Sequence, residues 1–144
     1  MTKHILCAVD LTHDEDARAI LVESGRLAGF YGARLSVITV LPDYGSSWVG
    51  TFFKEGTMKE AAQAASDALH KMMDEVLPEG QGVQHIVDVG SAYEKVLEAV
   101  EKIGADMVVA GTHRPDLKDR ILGPNAARIV RNAGVSVLVV RLDR

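Results

Sequence analysis

Residues 5–10 read Ile5-Leu6-Cys7-Ala8-Val9-Asp10, five apolar side chains in a row closed by a carboxylate. No polar position alternates with the apolar ones, so the run suits a strand covered on both faces, as in a parallel sheet. Met107-Val108-Val109-Ala110 and Val137-Leu138-Val139-Val140 have the same texture, and Leu35 to Leu41 nearly so. Val83 to Val89 alternates instead, with Gln84, His85 and Asp88 among its apolar residues, which places it nearer a sheet edge.

Helical spacing fills the intervals. Ala17, Ile20, Leu21, Ser24, Leu27, Ala28 and Tyr31 share one face, with Thr12 and Glu15 as a capping box and Gly32 as a stop. Ala62, Ala65, Leu69, Met72, Met73 and Val76 form a second stripe, ended by Pro78 and Gly80. A third begins at Ser91 with Glu94, faces inward through Tyr93, Val96, Leu97, Val100 and Ile103, and closes at Gly104. The fourth runs from about Pro124 to Ala133, with the proline in its first turn. Strand and helix alternate, which predicts one α/β domain over residues 1–144: a doubly wound, five-stranded parallel sheet with helices on both faces. The longest irregular stretch, Pro42 to about Thr57, carries Tyr44, Trp48, Phe52 and Phe53, and either packs over the sheet edge or forms a lid or partner surface.

Composition narrows the function. With 47% apolar and 25% charged residues, the chain has the balance of a globular protein. Its net charge of −4 argues against a broad nucleic-acid surface. No apolar run approaches the roughly 20 residues of a membrane helix, no signal-peptide pattern opens the chain, and the one cysteine, Cys7, cannot pair internally; the expectation is a cytoplasmic protein without a membrane segment. The histidines His4, His13, His70 and His85 are scattered, with no spacing that suggests a metal. Neither phosphate-loop, dinucleotide-fingerprint nor nucleophile-elbow patterns occur, so no dedicated hydrolase, kinase or dehydrogenase is expected.

In a doubly wound sheet, ligands bind beyond the carboxyl ends of the strands where the strand order reverses. Ala8-Val9-Asp10-Leu11-Thr12, Val40-Leu41-Pro42 and the long segment Ala110 to Asn125 end there. Asp10 can accept hydrogen bonds from a ribose or simply start a turn. The long segment holds Arg114, Lys118 and Arg120 and meets the last helix at Gly123-Pro124-Asn125. Unpaired N–H groups at that helix start, with the guanidinium forks, suit a phosphate; Asp116 and Asp119 could equally neutralise the cations.

Gly111-Thr112-His113, followed by Leu117-Lys118-Asp119-Arg120-Ile121-Leu122-Gly123 and then Ser136-Val137-Leu138-Val139-Val140, resembles the universal stress protein family, in a subgroup with a His-Arg-Pro-Asp loop. Ile5 to Asp10 looks like that family's first strand, and the order of elements agrees along essentially the whole chain. The resemblance implies sheet order 3-2-1-4-5, akin to the adenine nucleotide alpha hydrolases, and homodimerisation through residues 136–140. It implies a stress-response protein that binds ATP, with Mg2+ as its companion, as a signal. Carried over residue by residue, Ala8, Val9 and Asp10 lie at adenine and ribose, Val40 at adenine, Ala110, Gly111 and His113 along the nucleotide, and Gly123, Pro124 and Asn125 at the triphosphate, with Arg114 and Arg120 adding charge. Three departures from the ATP-binding pattern stand out. Arg114 replaces a glycine, the spacer to Gly123 is one residue short, and Pro124 replaces a Ser or Thr, removing both a hydroxyl and an N–H. They motivate an alternative: a nucleotide-free dimeric module that captures a protein partner through residues 42–57. A slow ATPase is a third reading.

Overall fold

Leu6 and Ile38, both completely buried, belong to one core cluster on two neighbouring strands of the sheet. The computed structural model describes residues 2–42, 55–77, 83–112 and 123–142. Five strands, β1 (His4–Ala8), β2 (Arg34–Leu41), β3 (Val83–Val89), β4 (Met107–Thr112) and β5 (Ser136–Arg141), pair in the order β3-β2-β1-β4-β5. Every pairing is parallel, with Ala8 opposite Ile38, Cys7 opposite Val109 and Val109 opposite Leu138. The alternating segment Val83–Val89 is indeed an edge strand.

Four helices join them: α1 (Asp14–Tyr31), α2 (Glu55–Val76), α3 (Ala92–Ile103) and α4 (Pro124–Asn132). Side chains alternate across the sheet, so Ile5, Cys7 and Val9 pack with Ile20 and Leu21 of α1 and Leu69 and Met72 of α2. Leu6, Ile38 and Val108 pack on the other face with Val96 and Val100 of α3 and Ile129 of α4. The helices change face because the crossovers are right-handed: the chain moves one way from β1 to β3, then back past β1 to β4 and β5. Each fully buried aliphatic side chain contributes about 1.5–3 kcal/mol, and both layers depend on it.

The glycine stops form as expected. Gly32 and Gly104 close α1 and α3 in the left-handed region, at φ 65° and 71°. The capping box does not. The Thr12 hydroxyl and N–H both turn back to the Asp10 carboxylate, so the N-cap moves one residue on to His13 and α1 starts at Asp14, without a side-chain cap. Ser91 holds the N-cap position of α3, also without a side-chain bond. Helix α2 starts at Glu55, inside the stretch expected to be irregular to about Thr57; Tyr44, Trp48, Phe52 and Phe53 lie outside the described residues.

At the amino ends of the strands, buried His4 Nε2 lies 2.8 Å from Ser36 Oγ, which in turn donates to Gln84 Oε1 at 3.4 Å. Asp106 accepts the N–H groups of Lys3 and His4 there. This polar chain sits at the opposite end of the sheet from the cleft described next.

Candidate functional site

The reversal in strand order falls between β1 and β4, whose onward connections leave on opposite faces of the sheet. Among the described residues a cleft of about 610 Å³ opens between them, inside the roughly 300–1,000 Å³ usual for small-molecule sites.

On the β1 side, backbone geometry leaves a rung of the ladder unmade. Arg34 N–H donates to the Lys3 carbonyl and Val9 N–H to the Ile38 carbonyl, so even-numbered residues of β2 face β1. Gly90 N–H donates to the Leu41 carbonyl, so odd-numbered residues face β3. The next even rung would run from Val40 N–H to the Val9 carbonyl, but β1 ends at Ala8, and among the described residues this bond does not form. Val40 lines the cleft, with its N–H and carbonyl turned toward the place β1 has vacated. Beside it, Asp10 folds into a tight turn: one oxygen accepts Thr12 N–H at 2.9 Å and the Thr12 hydroxyl at 2.6 Å. Its other oxygen lies 3.9 Å from His13 Nε2.

The β4 side is held by packing and one clasp. A Cβ on Gly111 would stand 2.5 Å from methyl carbons of both Ile20 and Leu142, so the missing side chain lets α1 and the end of the chain close over β4. Thr112, the last residue of β4 and buried, accepts the Gly123 N–H on its hydroxyl at 3.0 Å. That bond pins the start of α4 to the sheet. Pro124 follows at the first helical position and has no N–H; the N–H groups of Asn125 and Ala126 precede the first intrahelical bond, Ala127 N–H to the Gly123 carbonyl. Both residues line the cleft, where the positive end of the helix dipole meets it.

Nine of the twelve residues chosen from sequence therefore line one cleft: Ala8, Val9, Asp10, Val40, Ala110, Gly111, Gly123, Pro124 and Asn125. His113, Arg114 and Arg120 lie outside the described residues. Among the described residues the charged or titratable side chains on the cleft are Asp10, His13 and Asp16, so attraction for an anion comes from the α4 terminus. Sequence reasoning missed Thr112, Thr39 and Gly90, which share the lining. Thr112 was within the quoted motif, but nothing in spacing reveals a bond to Gly123.

Elsewhere, His70 and His85 are not scattered: their rings meet at 5.4 Å because α2 lies on β3, and His85 Nε2 lies 3.2 Å from Ser66 Oγ. Among the described residues no group of three or more His, Cys, Asp or Glu could hold a metal ion. No described helix is long and apolar enough to cross a membrane.

The model of the Universal stress protein family matches residues 1–141. Universal stress protein A homolog 1 of Coxiella burnetii is 28% identical over 96% of this chain and 95% of its own length. Universal stress protein G of Shigella flexneri is 35% identical, but the chain spans only about half of it, 54%. Among solved structures, MJ0577, a universal stress protein of Methanocaldococcus jannaschii, superposes with a TM-score of 0.81 at 22% identity, covering 100% of this chain and 99% of that one. The universal stress protein of Archaeoglobus fulgidus in complex with dAMP gives 0.63 at 20% identity, covering 95% and 96%. These two share the fold.

Proposed function

The chain belongs to the universal stress protein family, and from that premise we propose a stress-response regulator that binds an adenine nucleotide, with ATP as the first expectation, where β1 and β4 part. The unmade rung at Val40 carries this reading. An adenine edge offers an N–H donor beside a ring-nitrogen acceptor, the complement of a strand's carbonyl and N–H, so the base can continue the ladder that β1 abandons. From that anchor the ribose reaches Asp10, whose second oxygen is not committed to the Thr12 turn. The phosphates then approach Gly123, Asn125 and Ala126 at the α4 terminus. Ala8, Val9, Ala110 and Gly111 form apolar wall and floor, Pro124 shapes the far end, and His113, Arg114 and Arg120 supply the remaining donors and charge, with Mg2+ accompanying ATP. Solved proteins of the same fold hold dAMP and cAMP, which supports the ligand class. Calorimetric titration with ATP and AMP should give saturable heat. No heat and no thermal shift at millimolar nucleotide would overturn the reading.

The same proposal makes the protein a cytoplasmic homodimer through Ser136–Val140. Strand β5 is an edge of the sheet, with no described strand on its outer side, and Leu138 on it is exposed. Light scattering should return twice the 15.5 kDa of one chain; the single-chain mass would remove this part.

One observation favours the alternative, a nucleotide-free interaction module working through residues 42–57. Gly123 N–H is already taken and Pro124 has none, which thins the phosphate cradle. That reading requires protein purified without nucleotide to capture a partner that Trp48→Ala loses.

A further inference from the structure

Thr112 is used only by half. Its hydroxyl oxygen accepts the Gly123 N–H at 3.0 Å, which fixes the rotamer, yet among the described residues the hydroxyl proton meets no acceptor. The residue is only 2% exposed, so bulk water does not satisfy that proton, and it is among the residues that line the cleft. A buried donor left unmatched is costly, and in a site it points to what the ligand brings. The surroundings fix the chemistry. The clasp holds the hydroxyl at the start of α4, where the helix dipole favours negative charge and where Pro124 contributes no N–H.

We propose that the Thr112 hydroxyl donates to a phosphate oxygen of the ligand, taking over the role of the donor missing at Pro124. This rests on the nucleotide reading above and assigns within it a binding residue that the sequence did not single out. The Gly123 N–H then acts through Thr112: instead of meeting the anion itself, it orients the hydroxyl that does. Asn125 and Ala126 N–H groups complete the set of donors.

The test compares AMP, ATP and adenosine on wild type, Thr112→Val and Thr112→Ser. Valine keeps the shape and removes the hydroxyl, both as donor and as acceptor of the Gly123 N–H. A charge-assisted hydrogen bond is worth about 1.5–3 kcal/mol, so AMP and ATP should weaken by about tenfold or more. Adenosine, lacking phosphate, should be unchanged, and serine should retain wild-type affinity. Pro124→Ser added to Thr112→Val returns a hydroxyl and an N–H to the helix start and should recover part of the loss. Equal weakening of adenosine and AMP would show that Thr112 does not act on phosphate, and an unchanged AMP affinity would show that it contributes nothing; either overturns the proposal. Should the valine variant not fold, Thr112→Ala gives the same comparison. Wild-type protein that binds none of the three ligands overturns the site itself, an outcome distinct from failure of Thr112.

Discussion

His4 Nε2 and Ser36 Oγ lie 2.8 Å apart inside the sheet, a histidine satisfied as a core residue. Burial lowers its pKa below the usual 6.5, and the Arg34 charge lowers it further. The native state therefore resists protonation while the unfolded chain does not. Between 6.5 and the lower native value the unfolded state binds more protons, so stability is full above that window and declines as pH falls through it. The slope from this one group is at most about 1.4 kcal/mol per pH unit. Thermal melts between pH 7 and 5 should fall more steeply for wild type than for His4→Gln, which cannot titrate. Parallel curves would refute the assignment. Asp106 does not confuse the test. Burial opposes ionisation there, but bonds from Lys3 and His4 N–H hold its pKa below 3.8, so its contribution is lost only at more acid pH.

Cys7 gives a second check on the same core. Burial pushes its thiol up to about 12, and the neighbouring Ser24 hydroxyl, which pulls the other way, does little against that. Native protein should leave Cys7 unmodified by a thiol reagent at about pH 8, and labelling should track unfolding as denaturant rises. Rapid modification of folded protein would contradict the packing.

Gly111 tests whether glycine is there for the ligand or for the fold. A methyl group at this position must displace Ile20 and Leu142, and Ile20 is too buried to swing aside. Gly111→Ala should cost about 1–3 kcal/mol, read as a lowered denaturation midpoint. Ile20→Val removes one of the two opposing methyls and should make the alanine cheaper in the double variant than in the single. If the two substitutions simply add, the close approach is not what selects glycine.

These outcomes bear on how much the sequence disclosed. The buried strands were legible because unbroken runs such as Ile5 to Val9 leave no polar face, and the alternation around Gln84 and Asp88 gave the edge. Gly32 and Gly104 announced helix ends through a backbone region that other residues avoid. The Thr12 cap was not legible, since its hydroxyl had two nearby uses and Asp10 captured it. His70 and His85 met only once α2 lay on β3. The candidate site followed from a topological rule, so positions at strand ends converged while the Thr112–Gly123 clasp, which depends on the path of an intervening loop, did not show.

Gly123 separates ligand binding from folding more cleanly than Gly111. Its backbone, at φ −62° and ψ 161°, is open to any residue, and among the described residues a Cβ would meet the Thr112 hydroxyl oxygen alone, at 3.4 Å. Nothing among the described residues therefore demands glycine, and a side chain grown there enters the start of α4 beside the cleft. Gly123→Leu should melt within about 1 kcal/mol of wild type, as substitutions without a packing penalty do. Its methyl groups would occupy the space assigned to phosphate, so AMP and ATP affinity should fall by about a hundredfold, the scale of losing two hydrogen bonds to a charged group. Differential scanning fluorimetry with and without nucleotide reads both quantities on one sample. A stable variant with unchanged nucleotide shift would mean that the phosphates lie elsewhere, and the reading of the α4 terminus as their cradle would fall with it.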